Sequence, residues 1–188
     1  DVIYVTDGSP AGTRALTPTL DTSAGDLTAA NGLLYFSADD GTHGYELWRS
    51  NGLITGTYLI SDVNAGPADA NPTQIIGADG LVFFVANDGV SGPEIWKTSG
   101  TPTGTVRVSA FVSDTAPAHL TALGTEVYFV GTTALECSEV WKTDGTLAGT
   151  VLAGSVYAGM GCANPRSLVA VQNTLVFVAN DGAHGDEV

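Results

Sequence analysis

Glu94-Ile95-Trp96-Lys97-Thr98-Ser99-Gly100, followed by Gly104-Thr105, is the stretch on which the fold turns. It recurs as Glu46-Leu47-Trp48-Arg49-Ser50-Asn51-Gly52 with Gly56-Thr57, and as Glu139-Val140-Trp141-Lys142-Thr143-Asp144-Gly145 with Gly149-Thr150. Ile3-Tyr4-Val5-Thr6-Asp7-Gly8 with Gly12-Thr13 fills the same slot, Tyr4 standing where the others have Trp. The anchors at 4, 48, 96 and 141 lie 44, 48 and 45 residues apart. A fixed period of this length is the mark of a repeat architecture.

Working outward, a second block precedes each tryptophan segment. It reads Leu33-Leu34-Tyr35-Phe36, Leu81-Val82-Phe83-Phe84, Val127-Tyr128-Phe129-Val130 and Leu175-Val176-Phe177-Val178. Aromatic and β-branched enrichment bounded by Gly, Asn and Asp reads as strand. One unit therefore holds four short strands, for example Thr73 to Gly77, Leu81 to Ala86, Glu94 to Thr98 and Thr105 to Ser109. No segment keeps a 3.6-residue apolar period, so helix is expected to be almost absent. Asn51-Gly52, Asn87-Asp88-Gly89 and Asp144-Gly145 supply the positive-φ residues that hairpins require.

Four strands in about 47 residues is the size of a propeller blade. The expected fold is all-β: one domain over residues 1–188, a β-propeller of four four-stranded blades. The chain opens inside a third strand and stops at Asp186-Glu187-Val188, so it reads as a mature or excised portion. That phase would let the N-terminal strands complete the blade begun by Leu168 to Val178 and close the ring by interlocking. A portion of a larger propeller is the alternative. One aromatic per blade, Tyr4, Trp48, Trp96 and Trp141, is expected in the core between blades rather than as a platform for sugars.

The recurring Glu-Leu/Ile/Val-Trp, polar-Gly turn and Gly-Thr resemble the ELWxxDGT repeat of large bacterial surface and secreted proteins. The likeness runs over essentially the whole chain, with departures at Val2 and Tyr4 and in the third copy, which lacks the Asn-Asp-Gly turn. What the resemblance implies is an extracellular, propeller-like module without enzymatic activity.

Composition bounds the partners. The 188 residues carry 20 acidic and 6 basic side chains, a net charge of −14, so no basic stripe exists to neutralise phosphates. That argues against nucleic acid as a partner and disfavours an anionic membrane surface, and no run of about 20 apolar residues offers a membrane span. Apolar residues make up 44% against 14% charged, which is the balance of a folded chain. Cys137 and Cys162 are the two cysteines, at a spacing that fits neither a redox Cys-x-x-Cys nor a zinc knuckle. Either they form a disulfide or they pack as two buried thiols.

The polar candidates lie before each tryptophan: Asp39-Asp40-Gly41-Thr42-His43, Asn87-Asp88-Gly89-Val90-Ser91 and Asn180-Asp181-Gly182-Ala183-His184. Carboxylates and amide oxygens on a Gly-rich loop suit Ca²⁺, which makes Asp40, Asn87, Asp88, Asn180 and Asp181 the calcium candidates. The competing reading is a turn whose side chain bonds its own backbone two residues on, with the following Glu capping nearby amides. His43 and His184 would need to converge from separate blades to act as base or ligand. No nucleophile elbow, ordered Ser/His/Asp set or His-Glu-x-x-His appears, so no catalytic residue is assigned. The reading is a non-catalytic extracellular module with a structural, assembly or protein-interaction role, self-assembly included; the alternative is a calcium- or glycan-binding propeller. An asymmetric site would fall where the repeat breaks, at Glu136-Cys137 and Met160-Gly161-Cys162.

Overall fold

The computed structural model describes residues 1–17, 19–22, 27–111, 115–132, 137–156, 162–184 and 186–187. Two strands, β1 (Tyr4–Val5) and β2 (Arg14–Ala15), pair at the N-terminus. A second sheet follows from β3 (Asp21–Thr22), β4 (Thr28–Ala30), β5 (Leu33–Asp39), β6 (Glu46–Ser50) and β7 (Tyr58–Ser61), with β3 and β4 sharing the flank of β5. The third sheet is β8 (Thr73–Ala78), β9 (Leu81–Asn87), β10 (Pro93–Thr98) and β11 (Val106–Arg107). The fourth is β12 (Ala118–Leu123), β13 (Glu126–Thr132), β14 (Ser138–Thr143) and β15 (Val151–Gly154). The last holds β16 (Arg166–Val171), β17 (Thr174–Asn180) and β18 (Asp186–Glu187). Every pairing is antiparallel, and helix among the described residues is confined to two short 3₁₀ turns, Ile54–Gly56 and Pro102–Gly104.

Local sequence explains the hairpins. Asn31-Gly32 and Asp79-Gly80 both sit at positive φ (51° and 75°, 48° and 74°), the backbone that a two-residue turn between right-twisted strands demands. The first strands carry a repeated irregularity that the sequence does not announce. The ladder slips between Thr73 and Ile76, Ala118 and Thr121, and Arg166 and Val169. Gln74, His119 and Ser167, at φ of 53°, 58° and 55°, sit within those slips, as in a β-bulge.

Each tryptophan faces a phenylalanine across the ladder: Trp48 to Phe36, Trp96 to Phe84 and Trp141 to Phe129. This register corrects the alignment of the second block. Phe129 and Phe177 are the counterparts of Phe36 and Phe84, although each stands one residue earlier in its block. Side chains alternate with period two, so the one-residue shift exchanges the two faces of the strand.

The core forms between successive sheets. Tyr35, Leu47 and Ile60 of the second sheet pack on Ile75, Val82, Phe84 and Trp96 of the third. Phe83, Val85 and Ile95 on the other face of the third sheet pack on Val127, Phe129 and Trp141 of the fourth. Val130, Val140 and Tyr128 then meet Leu168, Leu175 and Phe177 of the last. Ile3 and Leu20 close the row against Phe36, Ala38 and Trp48. Burying one such aromatic side chain is worth about 2–3 kcal/mol.

Two expectations are corrected here. Among the described residues no closed ring is found: β1 pairs with β2, and the third-strand ladder of β17 is taken by β18. Ala179 faces Glu187 and Asn180 faces Asp186, the register that Ala86 and Asn87 keep with Glu94 and Pro93, so the chain's own next residues supply that strand. Tyr4 is not core. It is 66% exposed, because among the described residues no sheet covers its face of the N-terminal pair, whereas Trp48 is buried and Trp96 and Trp141 are half-buried between sheets. Trp96→Ala is therefore expected to cost about 3 kcal/mol or more in urea unfolding, and Tyr4→Ala under about 0.5 kcal/mol. Equal costs would contradict this division.

Candidate functional site: the acidic loop edge and the sheet junctions

The calcium candidates lie on the turns from second to third strand, and their oxygens are already engaged. Asp40 Oδ1 accepts from the N–H groups of Thr42 and His43 at 2.9 and 3.0 Å, and its Oδ2 lies 2.8 Å from His43 Nδ1. Asp88 repeats this with Val90 and Ser91 at 2.9 and 2.6 Å, the Ser91 hydroxyl donating to Oδ2 at 3.0 Å in place of histidine. Asp181 accepts from Ala183 and His184 at 2.8 and 2.9 Å, with His184 Nδ1 2.9 Å from Oδ2. The preceding Asp39, Asn87 and Asn180 each accept from the turn glycine, Gly41, Gly89 or Gly182. These are Asx turns in series, which is the structural role such residues commonly fill.

Electrostatics follow from the bonds. The His184 ring and the loop amides hold Asp181 well below the ordinary carboxylate range. Burial works against Asp40 and Asp88, yet the loop donors prevail and both are lowered. The hydrogen bond to Asp40 raises His43. The structure brings each histidine to its own aspartate and no further. Among the described residues no three His, Cys, Asp or Glu are grouped to hold a metal. Clefts of about 440, 290 and 240 Å³ open between sheets, and each is lined by a single titratable side chain: Asp79, Asp40 and Tyr128. The irregular segments 133–136, with Glu136, and 157–161, with Met160 and Gly161, lie outside the described residues.

The glutamate of each tryptophan segment is a more informative residue. Glu46, Glu94 and Glu139 are buried, and each reaches the chain that leaves its own sheet for the next. Asn64 N–H donates to Glu46 Oε1 at 2.8 Å, and Phe111 N–H to Glu94 Oε1 at 2.7 Å, with the Ser109 hydroxyl donating to Oε2. Ala163 N–H serves Glu139. The second oxygens of Glu46 and Glu139 are buried without a partner. Burial pushes Glu46 up from 4.5 to about 7 against the pull of the Asn64 and Val63 amides, and it raises Glu94 and Glu139 as well.

A neighbouring contact at the same junction has two chemical forms. Between the second and third sheets, Asp69 Oδ1 accepts from Tyr45 N–H at 2.9 Å, and a Cβ on Gly44 would run into Ala68 and Asp69. Between the fourth and last sheets, Cys137 and Cys162 occupy the positions of Gly44 and Asp69 and form a disulfide, Cα to Cα 4.8 Å. The next residues, Ala70 and Ala163, are fully buried, and each carbonyl accepts from the end of the following second strand, Asn87 or Asn180, at 2.9 Å.

The Gly-Thr pair, a motif without a role in the sequence reading, belongs to the opposite edge. Thr13, Thr57, Thr105 and Thr150 bond the hydroxyls of Thr6, Ser50, Thr98 and Thr143 at 2.7–2.8 Å. Those hydroxyls in turn accept from the turn glycines Gly8, Gly52, Gly100 and Gly145. A side chain at Gly12, Gly56, Gly104 or Gly149 would overlap Asp7, Asn51, Ser99 or Asp144, so the glycine is required by close approach.

No family model matches the chain, and no curated protein sequence does. Solved structures resemble it in fold. A puromycin hydrolase S511A mutant complexed with PGG aligns with TM-score 0.55 and 17% identity over 91% of this chain and 28% of its own. A structure from a study of two prolyl endopeptidases gives 0.57 and 14% over 95% and 27%, and TolB from Acinetobacter baumannii gives 0.50 and 13% over 99% and 49%. The chain thus spans between about a quarter and a half of these proteins, and the likeness, to β-propeller-like structures, is one of fold alone.

The junction carboxyls set the pH dependence. A glutamate raised in the folded state contributes most below its ordinary 4.5, and that contribution is lost as pH climbs through about 7. The lowered Asp40, Asp88 and Asp181 act oppositely: their contribution is present above 3.8 and lost as pH falls below it. Stability is expected to peak on the acid side of neutrality. Glu46→Gln should gain about 3 kcal/mol relative to the parent chain between pH 4 and pH 8 in denaturant melts. A pH-independent difference would refute this origin.

Proposed function

We propose that the chain is a non-catalytic, extracellular β-propeller module with a structural, assembly or protein-interaction role. The observation that carries the reading is that each repeated polar position described above bonds the fold itself. The Asx oxygens hold their own turns, the glutamates hold the junctions, and the hydroxyl pairs hold the Gly-Thr edge. Among the described residues the titratable contacts are small local groups, such as Asp40 with His43 and Glu126 with Lys142 and Tyr128, and each of the three clefts named above is lined by one titratable side chain, which offers no set of nucleophile, base and charge stabiliser together. The propeller-like neighbours support the architecture, and the Cys137–Cys162 bridge and acidic surface suit an oxidising exterior.

Calcium on the Asx-Gly loops is the competing reading, and a thermal melt separates the two. Excess EDTA and then millimolar CaCl₂ should leave the melting temperature within about 1 °C, because the loop amides already occupy the carboxylates. A ligand at 100 times its Kd would instead add about 2.7 kcal/mol to the native state. Such a chelator-reversible rise would overturn the structural assignment of Asp40, Asp88 and Asp181.

A further inference from the structure

The joint from the second sheet to the third and the joint from the fourth to the last differ at one pair of positions. In the former, Gly44 and Asp69 lie against each other, and the Asp69 carboxylate accepts from the Tyr45 N–H at 2.9 Å. In the latter, Cys137 and Cys162 stand at those positions and are bonded to each other. The residue that follows carries the rest of the joint. Ala70 and Ala163 are fully buried, and their carbonyls accept from Asn87 and Asn180 at 2.9 Å. The Ala163 N–H also serves the buried Glu139, whose second oxygen has no partner. Cys162 is thus fixed covalently one residue before the point on which both contacts depend. The bridge-free joint shows that this arrangement folds without a covalent tie, held by Asp69 and by Glu46 on the Asn64 N–H. Opening the bridge leaves a thiol at position 162, a far weaker acceptor than the Asp69 carboxylate, so nothing of like strength replaces the lost tie. Both cysteines are half-buried rather than enclosed, which leaves the pair within reach of a thiolate.

We propose that the Cys137–Cys162 bridge is a redox switch for the joint between the fourth and last sheets: a dithiol opens it, and the connection loosens at Ala163 while the chain stays folded. A thiolate of the dithiol attacks one cysteine Sγ, and the Sγ–Sγ bond breaks with its electron pair on the other cysteine, which takes a proton from water. The second sulfur of the dithiol, having released its proton, attacks the mixed disulfide and frees the first cysteine, which is protonated in turn. Both cysteines end as thiols and the dithiol ends as a disulfide; a disulfide oxidant reverses the exchange. Val130, Val140 and Leu168 remain packed between the two sheets, so the change is confined to the connection. The bridge joins residues 25 apart around β14 and β15, and its loss also frees that loop to open. The switch stands whether or not the module reading above does.

Residue-resolved hydrogen exchange of the 188-residue chain, before and after dithiothreitol and again after oxidised glutathione, tests the proposal, with thiol titration to follow the bridge. On reduction, protection of the Ala163 and Asn180 amides is expected to fall about tenfold or more, while that of Asn64 and Asn87 at the bridge-free joint holds within about twofold. Reoxidation should restore the first pair. Cys137→Ser with Cys162→Ser should show the reduced pattern from the start and ignore dithiothreitol. Cys137→Gly with Cys162→Asp writes the Gly44 and Asp69 tie into this joint, and it should protect Ala163 and Asn180 better than the serine pair does, again without response to dithiothreitol. A bridge that the dithiol cannot open in the folded chain would overturn the proposal, as would unchanged protection of Ala163 and Asn180 after complete reduction. Loss of protection at Asn64 and Asn87 to the same extent would overturn it too, since the bridge would then hold the whole fold rather than one joint.

Discussion

A sheet of four short strands with apolar side chains on both faces can bury neither face by itself. That constraint organises everything else in this chain. Strands alternate their side chains, so Phe84 points to one neighbour and Phe83 to the other, and each sheet is at once the cover of the one before and the floor for the one after. Stability is then a sum of junctions between neighbours, as in other repeat architectures. The same logic explains the exposure of Tyr4 and Val171, since among the described residues no further sheet lies against their faces.

Polar chemistry is spent on keeping the sheets in register rather than on a shared site. The connection between sheets is held by a buried glutamate at three junctions and by a second tie that is Asp69 on Tyr45 in one place and the Cys137–Cys162 bridge in another. A covalent tie replaces a hydrogen bond where the Asx-Gly turn is also lost from the sequence. Burying a carboxylate has a cost, visible in the raised Glu46, Glu94 and Glu139, and the amides of the connection offset part of it.

Much of this was legible in the sequence because the determinants are local. A hairpin is set by its own Asn-Gly or Asp-Gly, and a strand by its own β-branched and aromatic run, so the repeat, the strands and the near absence of helix could be read directly. Register was not. Val127-Tyr128-Phe129-Val130 looks apolar at either offset, and only the ladder of Phe129 with Trp141 shows which face is which. The reason for Gly-Thr lay in a clash with a residue five positions earlier, a tertiary fact of the turn. Tyr4 and the expected closure failed together. An aromatic in the right repeat position is core only if another sheet arrives to cover it, and β18 rather than β1 occupies the edge of β17.

The central claim is that neighbour packing along the row of sheets, with no ring closed among the described residues, sets the stability of each sheet. Native-state hydrogen exchange tests it directly, since it reads local opening strand by strand. The account predicts that amides of β9, covered on both faces, are protected most, with protection falling through β5 and β13 toward β2 and β16. Protection that is uniform from β2 to β16 would mean that the ends support each other as a ring, and would contradict it.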